Sequence, residues 1–328
     1  MEKNNLTLKE LYEKLHSFEK EGITEIFIPD ENKGGVCLSQ NKKELDFLVQ
    51  KLKECEDIFY SIPVSPTALS PELVQNLSQL YCSIEIPLKG VEKNGHLLLD
   101  KKLYSSKANL LNNGGLVFGF NMDWGLSPYD TFKLFRERLD FAVTLYPNHI
   151  VFPQFQSFSP KSTGIFSSKD MDFAKGIAFA CRTFYTCGRA VPWFNSVLKL
   201  LKISATSFFA DFDEWQQCNN CSFITDFIPE EQPHEKIEEM QLKFLEQKLE
   251  EKNKISSWNA LQSIVQLNGA FSRISQENKE TVLNLSYNPD DILSPSALNI
   301  SSFSEDVPME NCTVKVYQGK FSPECKII

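Results

Sequence analysis

Apolar and polar positions along the first 155 residues switch repeatedly between two periods. Leu8, Leu11, Leu15 and Phe18 recur at helical spacing, and Gly22 then breaks the pattern. The short apolar run Thr24 to Pro29 predicts a strand. Leu45, Phe47, Leu48 and Leu52 mark a second helix, and Asp57 to Val64 a second strand. Ser70 and Pro71 form an N-cap and first-position pair before a third helix through ELVQNLSQL, and Tyr81 to Leu88 is a third strand. Gly90 to Leu99 reads as a turn or small hairpin. Gly115 to Asn121 is a fourth strand, Ser127 with Pro128 caps an amphipathic helix over Tyr129 to Leu145, and His149 to Gln154 is a fifth strand. This alternation predicts a mostly parallel sheet with helical crossovers, as a doubly wound sheet, a barrel or a part-barrel. Such strands are expected to be buried on both faces.

From Ser157 the texture changes. Phe158 to Ser168 is Ser-rich and loop-like, Asp170 to Cys187 is a helix, and Val191 to Phe212 reads as two short helices parting near Lys202. Glu230 to Lys254 is a long charged helix with Ile237, Met240, Leu242, Phe244, Leu245 and Leu249 on one broad face, and another helix runs to about Ile274. The last 50 residues carry four prolines and two predicted strands, Glu280 to Tyr287 and Cys312 to Phe321. The expected organisation is an α/β region over 1–165, a helical extension over 166–278 and a small β-rich tail over 279–328.

Several segments resemble radical S-adenosylmethionine (radical SAM) proteins, in the subgroup associated with cobalamin. LTLKELYEKLHSFEKEGITEIFIPDE is similar to that family's helix-to-second-strand unit. IFYSIPVSPTALSPELVQNLSQLYCSIEIPLKG resembles its third strand, next helix and fourth strand. GLVFGFNMDWGLSPYDTFKLFRERLDFAVTLYPNHIVFPQFQ, the strongest stretch, resembles its fifth strand, a helix and its sixth strand, and WFNSVLKLLKISATSFFADFDEWQ resembles its C-terminal region. The likeness spans roughly residues 6–215. It implies an incomplete (β/α)6 part-barrel with a helical C-terminal extension and a small β-rich tail.

The family's Cys-x-x-x-Cys-x-x-Cys loop, whose thiolates hold a 4Fe–4S cluster, has no counterpart in this sequence. The matching segment begins only a few residues after Met1, so the first strand, the cluster loop and any cobalamin domain are expected to be missing together. The chain alone is then not expected to generate a radical. A cluster would have to come from another chain or a non-standard cysteine set. Loss of the first strand would leave the strand Thr24 to Pro29 with an open apolar edge, where a partner chain or a second copy is expected to pair. The second function weighed is a non-catalytic binding or scaffold protein that keeps a barrel-derived ligand pocket. An unrelated barrel enzyme finds no supporting acid–base constellation.

Candidate pocket residues follow from position. Asp30 and Glu31 come just after a strand's C-terminal end, where α/β sheets and barrels place their sites. Glu85, between Ile84 and Ile86, points to the face opposite them. It is either a pocket residue or a buried carboxylate paired with a lysine or backbone amide. Lys89 and Asn121 end two further strands, and Lys89 also fits a solvated turn. The resemblance implies that polar residues at Asp30, Glu85, Lys89 and Asn121 line a pocket that admits S-adenosylmethionine.

Composition narrows the remaining classes. The 328 residues are 42% apolar and 23% charged, enough for a sizeable core. A net charge of −9 and a pI near 5.2 argue against nucleic acid or an anionic membrane as partner. No apolar run approaches the roughly 18 residues of a membrane span, and MEKNNLTLKE has no signal-peptide core, so a cytoplasmic protein is expected. Most of the nine scattered cysteines are expected to be reduced, and Cys37, Cys55, Cys82, Cys312 and Cys325 read as small buried or half-buried hydrophobes. Cys218 and Cys221 with Cys181 and Cys187 form a weak metal or redox pattern, read as unrelated cysteines. No metal site is assigned, and His149 reads as a satisfied strand-end residue.

Overall fold

The computed structural model describes residues 7–33, 35–125, 127, 129–153, 162 and 164–328. The chain divides into two compact units, Met1–Ser168 and Lys169–Ile328.

In the first unit, five parallel strands lie in chain order: β1 (Glu25–Phe27), β2 (Phe59–Pro63), β3 (Cys82–Pro87), β4 (Val117–Asn121) and β5 (His149–Val151). The order never reverses, so the sheet lacks the switch point at which doubly wound sheets bind ligands. Helices α1 (Leu8–Lys20), α2 (Lys42–Leu52), α3 (Pro71–Leu77), α4 (Lys101–Asn113) and α5 (Phe132–Val143) fill the sequence before and between the strands. Each starts on a side-chain cap: Thr7 with Glu10 in a capping box, then Asn41, Ser70, Asp100 and Thr131. Helix α4 is absent from the sequence pattern because KKLYSSKANLLNN buries only Tyr104, Ala108 and Leu111. Helix α5 starts later than expected because the Thr131 hydroxyl, not Ser127, accepts from the third helical N–H. Pro128 and Gln154 lie outside the described residues. Gly90 to Leu99 contains a hairpin, Val91–Lys93 against His96–Leu98.

The pleat sorts the strand residues into two faces. One is apolar, with Ile26, Tyr60 and Cys82 in one row, Ile62, Ile84 and Phe118 in the next, and Ile86, Phe120 and Ile150 in a third. All are buried. Helices cover this face: the Tyr104 ring of α4 meets Phe120 edge-on at 6.1 Å, and Phe135 of α5 packs 6.5 Å from Phe152. The opposite face carries Ser61, Ser83, Glu85, Asn121 and His149, so the strands are not apolar on both faces as expected. Glu85 ties part of this face together, accepting from Ser83 in its own strand and meeting His149 across β4.

The second unit contains α6 (Ser168–Cys181), α7 (Phe194–Leu201), α8 (Ala205–Cys218), α9 (His234–Glu251) and α10 (Trp258–Glu277). It also holds an antiparallel sheet of β6 (Thr281–Leu285), β7 (Cys312–Gln318) and β8 (Pro323–Ile327), one strand more than the sequence pattern reveals. The expected single α-helix over Asp170 to Cys187 turns into a π-helix at Arg182–Cys187. Lys202, in the left-handed conformation, parts α7 from α8. Much of the core is aromatic: Phe184 packs edge-on against Phe208 at 4.7 Å and Phe212 at 4.9 Å, and Phe244 lies 5.0 Å from Phe212. Among the described residues no helix is long and apolar enough to cross a membrane.

Candidate functional site

The strands of the first sheet end in a recurring pattern. Pro63 closes β2 after buried Ile62, Pro87 closes β3 after buried Ile86, and Pro153 follows buried Phe152 just beyond β5. Proline offers no N–H to continue a ladder, and the three sit at successive levels, Pro63 beside Glu85 and Pro87 beside Asn121. At these strand ends lies a cavity of about 220 Å³. The three prolines form part of its wall, and Asp30, Ser39, Glu85, Lys89, Asn121 and Asp123 supply its polar lining. Asp30, Glu85, Lys89 and Asn121, picked separately from strand positions, therefore border one space. Glu31 does not. Its carboxylate accepts from the N–H of Leu8 at 2.6 Å and so caps the start of α1.

Each polar group is held by local chemistry. Asp30 accepts from the Ser39 N–H at 2.8 Å and the Ser39 hydroxyl at 2.9 Å. Glu85 Oε1 accepts from the Ser83 hydroxyl at 3.0 Å and lies 2.8 Å from His149 Nε2. Its partner here is thus neither a lysine nor a backbone amide, and His149, at the start of β5, meets this cleft carboxylate. That contact crosses β4 at Gly119, the register partner of both Glu85 and His149. A Cβ at Gly119 would come within 2.1 Å of His149 Nε2, so only glycine leaves room for the two side chains to meet.

Asp123 sits between two cations. Lys89 Nζ is 3.9 Å away on the solvent side, and Arg138 Nη1 is 3.5 Å away on the buried side. Arg138 also pairs with Asp130 at 3.2 Å and donates to the Leu88 carbonyl at 3.3 Å. Burial pushes the Asp130 carboxyl upward, and Arg138 with the N–H groups of Gly125 and Thr131 pulls it back. Tyr104 fixes the exit from β3: its hydroxyl donates to the Pro87 carbonyl at 2.8 Å and accepts from the Lys89 N–H at 3.0 Å. Burial raises its pKa, which keeps the phenol protonated as a donor. Three carboxylates against one ammonium give the cleft lining an acidic balance that favours a cationic ligand. Sequence reasoning missed Ser39, Asp123 and Arg138. The Asp123 position two residues after Asn121 was the available signal.

The cysteines do not form a cluster site. None of the residues lining the cleft is a cysteine. Burial pushes the Cys181 thiol up, and the Cys187 thiol to about 12. Among the described residues the His/Cys/Asp/Glu group close enough to share an ion is His16, Glu19 and Cys55, so Cys181, Cys187, Cys218 and Cys221 are not brought together. A 4Fe–4S cluster does not fit this chain's own residues. A cationic amino compound does fit the cleft, as a match of charge and of acceptors.

Fold and cleft thus define an α/β protein with an acidic pocket at the carboxyl ends of a parallel sheet. No family model and no curated protein matches the chain. Among solved structures it is similar to TsrM, a radical S-adenosylmethionine methyltransferase from Kitasatospora setae, with cobalamin and a 4Fe–4S cluster bound. That match has 15% identity and a TM-score of 0.34 over 44% of this chain and 30% of that one. The structure of TsrM with tryptophan substrate and the SAM analogue aza-SAM matches at 15% identity and 0.34, over 44% of this chain and 29% of that one. The match thus spans under a third of those chains, and the fold reading rests on the sheet itself.

Proposed function

We propose that this chain is a ligand-binding α/β module of the radical SAM type. It takes a cationic, amino-bearing compound, S-adenosylmethionine foremost, at the strand ends and performs no radical chemistry on its own. The observation that carries this reading is the convergence of Asp30, Glu85, Asn121 and Asp123 on one acidic cleft, with no thiol among its walls. The chain-order sheet supports a part-barrel frame. The cavity is below the roughly 300 Å³ at which ligand pockets usually begin, which suits one end of such a ligand, its ammonium and sulfonium, better than the whole molecule.

Equilibrium dialysis of iron-free chain against labelled S-adenosylmethionine tests the proposal. Saturable one-site binding that is lost in the Glu85→Gln, Asp123→Asn double variant supports it. Absence of binding by the wild type overturns it. Anaerobic reconstitution with iron and sulfide is expected to leave no four-iron chromophore.

A second reading, half of a split enzyme, is favoured by one feature. Strand β1 is the sheet edge, three residues long with Phe27 exposed. A partner bringing a three-cysteine loop would pair there. Co-purification with an iron–sulfur chain, abolished by Phe27→Asp, would favour that reading over the first.

A further inference from the structure

The amino ends of β1 and β2, the other end of the same strands, carry a second cluster of ligating side chains. His16 and Glu19 lie three residues apart on one face of α1, the helix that leads into β1. Cys55 lies in the turn after α2, four residues before β2, and its carbonyl is fixed by the Tyr60 hydroxyl at 3.0 Å. The Cys55 sulfur is 3.4 Å from His16 Nδ1 and 3.7 Å from Glu19 Oε2, and all three ligand atoms fall within 4.8 Å of one another. Zinc–sulfur bonds of about 2.3 Å and zinc–nitrogen or zinc–oxygen bonds of about 2.0–2.2 Å set tetrahedral ligand edges of about 3.5 Å. The two measured edges from sulfur bracket that length.

The surroundings match a metal centre in a further respect. The other ring nitrogen of His16, Nε2, faces the Glu54 carboxylate at 3.5 Å, and Lys51 holds Glu54 at 3.0 Å. A histidine that ligates through one nitrogen characteristically gives its other N–H to a carboxylate, which fixes ring and tautomer. The cysteine is fully buried beneath the two exposed side chains, so the group points inward at a shared sulfur rather than out into water.

We infer that His16, Glu19 and Cys55 form a zinc site of Cys–His–Glu type, with Glu54 orienting the histidine and a fourth position left for water. Binding replaces the thiol proton: the S–H bond breaks, a sulfur–zinc bond forms, and the proton leaves to solvent. The thiolate and the Glu19 carboxylate neutralise the dication. The ion would tie α1 to the loop entering β2, at the amino ends of the strands, away from the cleft. That placement gives it a stabilising rather than a ligand-processing role.

The test is titration of metal-stripped, reduced full-length chain with Co2+ and then Zn2+, followed by absorbance and thermal melting. One equivalent of cobalt is expected to give a thiolate-to-cobalt charge-transfer band that zinc abolishes, and zinc is expected to raise the melting temperature. Cys55→Ser removes the band, His16→Gln weakens binding at least tenfold, and Glu54→Gln weakens it about tenfold. The Cys218→Ser, Cys221→Ser variant keeps wild-type binding. No band in the wild type, or a band that survives Cys55→Ser, overturns the inference. If Cys55→Ser fails to fold, His16→Gln decides, because His16 is exposed and its replacement leaves the core untouched. Wild-type affinity in that variant overturns the site.

Discussion

In the first unit the carboxylates Asp30, Glu85 and Asp123 gather around open space at the strand ends, whereas in the second unit Arg273, Glu238, His234 and Gln241 close on one another between helices. Arg273, 1% exposed, donates to Glu238 at 2.8 Å and lies 3.1 Å from His234 Nδ1. Gln241 donates to the carbonyls of Phe184 and Gly188, at 2.7 and 3.0 Å, where the π-turn has opened the helix. Both regions use a glycine to admit a polar contact. A Cβ at Gly269 would meet Glu238 Oε2 at 1.8 Å, just as one at Gly119 would meet His149. The lesson lies in what each network faces: the second turns its groups toward one another and toward backbone carbonyls and serves packing, while the first keeps acceptors turned toward a cavity and can serve a ligand.

The sharpest way to break the comparison is to remove the second unit's cation. Arg273→Ala strands the Glu238 carboxylate in the core, and it is expected to cost about 3–5 kcal/mol in chemical denaturation while leaving ligand binding by the native fraction unchanged. A cost under about 1 kcal/mol would show that this network is not closed. Next in size is a pH effect. Burial first, then Arg189 and Arg273, lower the His234 pKa from 6.5 to about 4. Its folded value is depressed, so above pH 6.5 neither state binds the proton and stability is complete. As pH falls from 6.5 toward 4 the unfolded chain takes up a proton that the native chain refuses, a loss on the order of 3 kcal/mol. Burial raises the Glu238 pKa, which acts in the opposite direction, so His234→Gln is the control that isolates the histidine. Melting at pH 5 relative to pH 7 should drop less in that variant than in the wild type. Third, Gly119→Ala should cost about 1–3 kcal/mol by overpacking against His149, and should weaken the ligand by displacing Glu85. Normal affinity in that variant would separate the dyad from the cleft.

The difference between the regions also explains what the sequence disclosed. A polar residue that ends an apolar run is a local signal, and so is one flanked by isoleucines, which is why Asp30, Glu85, Lys89 and Asn121 are legible in the sequence as strand-end or strand-face candidates. Partnerships between distant residues were not local. His149 is 64 residues from Glu85, and His16 is 39 residues from Cys55, so neither partnership shows in local spacing, and His149 reads as a strand end. Helix α4 stayed hidden because three buried side chains over 13 residues make too thin a stripe. The π-turn is invisible locally, and the glutamine that donates to its open carbonyls lies on α9, more than 50 residues away.

The smallest expected effect on stability is the most telling about function. Glu85→Gln and Glu238→Gln make the same chemical change, a carboxylate to an amide of equal size, in the two regions. In the cleft the amide oxygen still accepts from Ser83 and can still meet His149, and the site remains partly hydrated, so the cost in stability should stay below about 0.5 kcal/mol. The lost negative charge should instead weaken a cationic ligand about tenfold, which is about 1.4 kcal/mol. In the core the amide at position 238 removes the nearer of Arg273's two carboxylate partners and leaves Glu235 at 3.8 Å, and a stability loss of about 1–3 kcal/mol with unchanged affinity is expected. Paired denaturation and ligand titrations on the two variants should therefore cross over. If both lose only stability, the cleft carboxylate is structural like its counterpart, and the ligand-binding reading of the first unit falls with it.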